Sequence, residues 1–170
     1  DPLTLKKEKA DAKGKQTIIG KELDDLYCEK VKAIQCHPEL DKKGFKIIYS
    51  PQHGASYENA MRIFSDLGYE IIPVKEQCVH DPDFGATKSP NPEIPEAWEL
   101  SLEYARKHHA DLAVMTDPDG DRCGLAYLDS DGSYKRLTGN QSGALLIDYI
   151  LASRKEKGTL PRNGVIYDTI

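Results

Sequence analysis

Asp111-Leu112-Ala113-Val114-Met115-Thr116-Asp117-Pro118-Asp119-Gly120-Asp121-Arg122-Cys123-Gly124-Leu125-Ala126-Tyr127-Leu128 sets a short apolar run, a loop of alternating aspartates and a second apolar run in one line. Runs this short, with β-branched and aromatic content, read as strands, here Asp111–Met115 and Cys123–Leu128. Ser130-Asp131-Gly132 then turns the second strand into a hairpin, so at least one strand is antiparallel. Upstream, Trp98, Leu102 and Ala105 recur at helical spacing, which predicts a helix from about Ile94 to His109. Before it lies a Pro-, Asp- and Gly-rich excursion, Glu76–Pro95, and loops of that length inside compact domains usually carry function.

Further outward the alternation continues. Phe45–Tyr49 and Tyr69–Val74 read as strands, joined by the loop Ser50-Pro51-Gln52-His53-Gly54 and a helix with Tyr57, Ala60, Met61, Phe64 and Leu67 on one face. Gly68 ends that helix. Leu23, Leu26, Tyr27, Val31 and Ile34 predict a first amphipathic helix over Ile19–Gln35. Downstream, a helix capped by Asn140 is expected to turn Gly143, Leu146, Ile147, Ile150 and Leu151 inward. Strands alternating with helices indicate an α/β fold with a mixed sheet covered on both faces.

The 170 residues provide enough chain for one packed core. A net charge of −5, with lysines scattered among acids, gives no footprint for nucleic acid. No apolar run is long enough to span a bilayer and the start of the chain does not read as a signal peptide. Cys28, Cys36, Cys78 and Cys123 form no C-x-x-C pair. Cys28 and Cys36, eight residues apart on one predicted helix, would stand about 12 Å apart, too far for a disulfide. A reducing, cytoplasmic setting fits this usage. The chain starts at Asp1 and stops within Val165-Ile166-Tyr167-Asp168-Thr169-Ile170, which reads as a buried strand and its exit, so an excised piece of a longer chain is expected.

The chemistry concentrates at Asp117, Asp119 and Asp121. Alternate side chains of an extended segment share a face, so the three carboxylates can converge on one point. Gly120 lets the loop curl and Pro118 stiffens its approach. Three close carboxylates repel one another and raise each other's pKa, a conflict that a divalent cation relieves. An all-oxygen set favours Mg²⁺, Mn²⁺ or Ca²⁺ over zinc, with Mg²⁺ first because it takes few carboxylates and completes its shell with water or phosphate oxygen. Arg122 adds a planar fork suited to phosphate.

Other readings of the loop fit less well. An EF-hand counted from Asp117 would need Gly and Glu where Arg122 and Leu128 stand, so it fails. A haloacid-dehalogenase-type phosphatase also opens with D-x-D after an apolar strand, its first Asp being the nucleophile, but normally carries Thr or Val where this chain has Asp121. An acidic surface turn would not need three alternate aspartates followed by arginine.

Asp117-Pro118-Asp119-Gly120-Asp121-Arg122 resembles the metal loop of the α-D-phosphohexomutases, the phosphoglucomutase/phosphomannomutase superfamily. Ser50-Pro51-Gln52-His53-Gly54 resembles that family's T-P-x-H-G turn, Lys88-Ser89-Pro90-Asn91-Pro92-Glu93 its K-x-P-N-P-E segment, and Leu137-Thr138-Gly139-Asn140 its L-T-G-[ND] helix entry. The resemblance implies the second domain of a four-domain enzyme, a three-layer α/β/α unit with a mixed, mostly parallel four-stranded sheet. It assigns residues 17–170 to that domain and leaves 1–16 as a linker or inter-domain arm.

It further implies that a phosphoserine in another domain of the same parent chain gives its phosphate to a hexose monophosphate, forming a hexose 1,6-bisphosphate that reorients and returns the other phosphate. By motif position Asp117, Asp119 and Asp121 would hold Mg²⁺. Arg122 would be the catalytic contact to the transferring phosphate, and Asp121 and Arg122 would border the substrate. His53 and Lys88 are further substrate-binding candidates, each with a plainer role available in holding the loops. No T-A-S-H-N-P-like serine loop and no E-x-S-G sugar loop occurs here, so this chain alone is expected not to turn over hexose phosphate. A free-standing metal- or phosphate-binding module is the competing, non-enzymatic expectation. His37, His80, His108 and His109 show no ligand spacing, and Trp98 reads as packing.

Overall fold

A computed structural model of the chain describes residues 18–167; the arm expected over 1–16 lies outside the described residues. Its elements in order are α1 (Lys21–Lys32), β1 (Lys46–Ser50), α2 (Tyr57–Asp66), β2 (Glu70–Pro73), α3 (Glu99–His108), β3 (Leu112–Thr116), β4 (Cys123–Leu128), β5 (Tyr134–Arg136) and α4 (Gly139–Glu156). The sheet runs β2-β1-β3-β4-β5. The β2-β1-β3 half is parallel, with Ile48 beside Ile72 and Ala113, whereas β3-β4-β5 is antiparallel, with Ala126 beside Ala113 and Arg136.

The mixed sheet of the expected fold is therefore present with one strand more than the expected four, and its parallel and antiparallel pairings are equal in number. The additional strand, β5, is the returning arm of the Ser130–Gly132 hairpin. It is three residues long and carries Lys135 and Arg136, so it lacked the apolar signature by which the others were read.

Alternation along β1 explains the three layers. Ile48 faces a core with Ala113, Met115, Ala126, Ala105 and Trp98, on the side covered by α3. Ile47 and Tyr49 face the opposite side, where Tyr57, Ala60, Met61 and Phe64 of α2 pack with Val114. The helix expected from Ile94 begins as a 3₁₀ turn, Pro95–Trp98, with Pro at its first position, and becomes α-helical at Glu99. That turn buries Ala97 and Trp98 under the sheet.

The outer helices depart from expectation. α1 ends at Lys32, so Ile34 and Cys36 fall beyond it. Its apolar stripe is mostly not its packed face: Val31 is half-buried, but Leu23, Leu26, Tyr27 and Ile34 are 50%, 49%, 54% and 76% exposed. Instead Asp25, Cys28 and Lys32, at helical spacing, meet α2 through Arg62, Asn59 and Asp66. α4 is capped by Thr138, not Asn140. Thr138 accepts from the Gln141 backbone N–H while the Gln141 side chain accepts from the Thr138 N–H. Of the residues expected inward, Gly143, Ile147 and Leu151 are half-buried, whereas Leu146 and Ile150 are 54% and 38% exposed, because among the described residues nothing packs over that side of the helix. Val165 and Ile166, expected in a buried strand, are exposed and outside any strand.

Trp98 is 1% exposed and donates from Nε1 to the Pro92 carbonyl at 2.7 Å. Trp98→Ala is expected to lower the unfolding free energy by about 3–5 kcal/mol. A urea melt followed by far-UV circular dichroism measures it, since this is the chain's single tryptophan. A loss under about 1 kcal/mol would remove Trp98 from the core.

Candidate metal and phosphate site

β3 delivers Asp117 to the end of the sheet, and the chain doubles back through Gly120, whose φ of 79° is the left-handed region that glycine tolerates. The loop closes on itself where Gly120 donates to the Asp117 carbonyl at 3.1 Å. Asp117, Asp119 and Asp121 each present a carboxylate oxygen within 4.8 Å of the others. Asp117 is 1% exposed, whereas Asp119 and Asp121 face outward. The sequence-read trio is thus brought to one point.

Electrostatics within the trio are unequal. Burial pushes the Asp117 carboxyl upward, but the Arg122 backbone N–H, 2.9 Å from Oδ1, and its Nε, 2.7 Å from Oδ2, outweigh this and hold it below the ordinary range. Among the described residues Asp121 accepts no such N–H bond, the Arg122 Nε lying 3.9 Å from its Oδ1. The charge of Asp119 and its contact with Asp117 push its pKa up. A buried oxygen already ionised, beside outward carboxylates that repel each other, is a donor set that fits a hard divalent cation.

The turn after β1 holds this loop in place. Gln52 and His53 both adopt left-handed φ, 50° and 63°, and Gly54 then lies against the aspartate loop. A Cβ on Gly54 would stand 2.3 Å from the Pro118 carbonyl oxygen and 2.4 Å from its Cα, so only glycine fits. Ala55 donates to that same carbonyl at 2.9 Å. Behind this contact the hydroxyls of Tyr49, Ser56 and Thr116 share hydrogen bonds of 2.7–3.1 Å, tying β1, α2 and β3 together.

His53 and Lys88 stand apart from the trio's hydrogen bonds. His53 is 6% exposed, bonds Val79 O through Nδ1 at 2.8 Å and meets the edge of Phe84, so its ring faces the Glu76–Pro95 excursion. Lys88 lies on that excursion and pairs with Glu99 at 2.6 Å across exposed surface. The excursion is anchored from within: buried Gln77 accepts from Ser50 Oγ at 2.7 Å and donates to Ala86 O at 2.9 Å. Its Pro92 end rests on Trp98 and on Gly124 of β4, where a Cβ would come within 2.6 Å of the Trp98 ring.

Sequence reasoning passed over Gly54 as a contact, the hydroxyl triangle and Arg136. Arg136 joins Arg122, Pro92, Glu93, Thr138 and Gly139 around a cleft of about 370 Å³ beside the aspartate loop. A glycine closing a turn at a strand end was the one signal that could have pointed to the close approach.

The α/β/α unit places its three aspartates at the carboxyl end of a central strand, where open α/β sheets commonly build ligand sites. The chain belongs to the phosphoglucomutase/phosphomannomutase family, whose alpha/beta/alpha domain II model matches residues 25–130. A phosphomannomutase of Mycoplasmoides pirum is 37% identical over 140 residues, covering 81% of this chain and 26% of the relative. A phosphoglucomutase of Staphylococcus aureus (strain USA300) is 37% identical over 111 residues, covering 65% and 20%. The chain thus spans a fifth to a quarter of these relatives. A solved phosphoglucomutase/phosphomannomutase family protein from Burkholderia thailandensis shares the fold at a TM-score of 0.61 and 21% identity, covering 76% of this chain and 26% of that one. A structure from Thermus thermophilus does so at 0.58 and 24%, covering 80% and 29%.

Gly54→Ala is expected to cost about 1–3 kcal/mol through overpacking against Pro118. It should also shift the backbone amide resonances of Gly120 and Arg122, read by two-dimensional NMR. Unchanged resonances would show that the turn does not hold the metal loop.

Proposed function

We propose that this chain is the metal-carrying domain of a phosphohexomutase that interconverts hexose 1-phosphate and hexose 6-phosphate, with glucose phosphates the first choice, by phosphoserine-mediated transfer through a hexose 1,6-bisphosphate. The observation that carries the reading is the convergence of Asp117, Asp119 and Asp121 within 4.8 Å in a chain of this family. Asp117, Asp119 and Asp121 would hold Mg²⁺. Bound there, the ion supplies Lewis-acid stabilisation for charge developing on phosphoryl oxygen.

The protein's own groups supply orientation. The Arg122 backbone N–H and Nε keep Asp117 ionised, so the innermost ligand oxygen is ready without a proton to lose. The same guanidinium extends a fork toward the cleft, where it would take oxygens of the transferring phosphate. Gly54 and the Tyr49–Ser56–Thr116 hydroxyls fix the loop against the sheet, and precise placement is most of what phosphoryl transfer asks of a protein. His53 serves this reading by holding the excursion through Val79, and a direct substrate contact by Lys88 requires it to leave Glu99.

The serine donor and the remaining sugar contacts belong to other domains of the parent chain, so the chain by itself does not turn over hexose phosphate. Among the described residues no helix is long and apolar enough to cross a membrane. The four cysteines are free, in keeping with a reducing, cytoplasmic site of action.

Two measurements test the reading. In a calorimetric Mg²⁺ titration, Asp121→Asn should weaken binding at least tenfold, about 1.4 kcal/mol; binding as tight as the wild type would remove Asp121 from the site. In a coupled assay with glucose 1-phosphate, this chain alone should give no glucose 6-phosphate above background. Appreciable mutase turnover would refute the division of labour, and steady release of inorganic phosphate would point to a phosphatase with Asp117 as nucleophile.

A further inference from the structure

We propose that Arg136 is a second phosphate-binding residue, which with Arg122 takes one phosphoryl group of a sugar phosphate in the cleft between the metal loop and the start of α4. The proposal rests on the phosphate-handling reading above and adds to it a residue outside the aspartate loop.

The placement follows from the antiparallel half of the sheet. β4 leaves the metal loop directly after Arg122, and β5 returns beside it with Arg136 paired to Ala126. Leu137 donates to Leu125 O at 2.9 Å and fixes the chain as it leaves β5. Residues fourteen positions apart in sequence, Arg122 and Arg136, thereby line the same cleft. Its volume of about 370 Å³ lies in the range of small-molecule sites. Strand alternation sends the neighbouring cation, Lys135, to the other face, where it pairs with Asp129 and Asp131.

Both guanidiniums are uncommitted on the cleft side. Arg122 bonds Asp117 through Nε, and among the described residues neither of its Nη groups has a protein acceptor. Arg136 has no carboxylate within ion-pair distance among the described residues, and the one hydrogen bond of its side chain there is a 3.4 Å bond from Nη1 to the Glu93 carbonyl oxygen. Two planar forks with free Nη donors line one space, and a dianionic monoester supplies oxygens for both. The lining holds one acid, Glu93, and the charge of Arg122 is already met by Asp117, so Arg136 is the cation of the cleft without a carboxylate partner among the described residues. Gly139, at the first position of α4, adds the positive end of an 18-residue helix to the same wall.

Titration of the chain with glucose 1-phosphate at saturating Mg²⁺, followed by ³¹P NMR and calorimetry, tests the assignment. Arg136→Gln should weaken binding about tenfold and Arg136→Lys by less, since lysine keeps the charge and loses the fork. Lys135→Gln, a control for general loss of positive charge, should bind as the wild type does. Mg²⁺ affinity should be equal in all four proteins, because Arg136 does not touch the carboxylate trio. Equal glucose 1-phosphate affinity in wild type and Arg136→Gln, an equal loss in Lys135→Gln, or no binding by the wild type would each overturn the proposal. The Mg²⁺ titration judges the metal reading separately: absence of Mg²⁺ binding sinks that reading, whereas Mg²⁺ binding with an inert Arg136 sinks only this one.

Discussion

One buried negative charge organises this molecule. Asp117 sits at the end of β3 with 1% of its surface exposed, and an ionised carboxylate in that position is costly unless partners replace water. Arg122 supplies both a backbone N–H and a guanidinium N–H, which engage the two oxygens of Asp117 separately. To bring them there the chain must reverse within five residues, and Gly120 in a left-handed conformation makes the reversal. The loop is short because its two ends are adjacent antiparallel strands, Thr116 pairing with Cys123. Sheet topology and charge neutralisation therefore act on the same few residues.

The loop would still be free to tilt if nothing stood behind it. Its back rests on the turn after β1, where Gly54 approaches Pro118 closer than any side chain would allow. The left-handed Gln52 and His53 are held by buried partners: His53 N–H donates to Gln77 O at 2.7 Å and Gln52 Nε2 reaches the Ala97 carbonyl. Backbone strain of this kind persists only where the surroundings over-determine it. The Glu76–Pro95 excursion thus acts on the aspartate loop indirectly: it clamps the turn, and the turn seats the loop.

What the sequence revealed and what it hid follow one physical division. Short apolar runs and helical periodicity showed β1, β3, β4, α2 and the α3 region because those elements bury side chains in this chain's own cores. The alternate aspartates announced their convergence because side-chain direction along an extended segment is a local property. Long-range contacts left no local trace. The hydroxyls of Tyr49, Ser56 and Thr116 meet across gaps of 7, 60 and 67 residues, and nothing in their immediate neighbours foretells it. The stripes of α1 and α4 misled for the opposite reason. Their apolar residues are patterned for burial, but the contacts formed here run through Asp25, Cys28 and Lys32 in one helix and through Ser153 to His37 in the other.

Arg122 is where stability and the proposed chemistry compete for one group. Its Nε binds the Asp117 oxygen Oδ2, 2.7 Å away, on the carboxylate proposed to hold a cation. A divalent ion held there would weaken the hold of the guanidinium, since both positive groups would seek the same lone pairs. Loosened from Asp117, the fork gains a donor for phosphate, and Arg136 lines the cleft it would turn toward. Cation and phosphate would then favour each other's binding through a side chain that touches both sites. Because linkage between two ligands is reciprocal, phosphate in the cleft would tighten the cation as much as the cation tightens phosphate. A guanidinium that neutralises a buried acid before either ligand arrives can in this way become their shared contact afterwards.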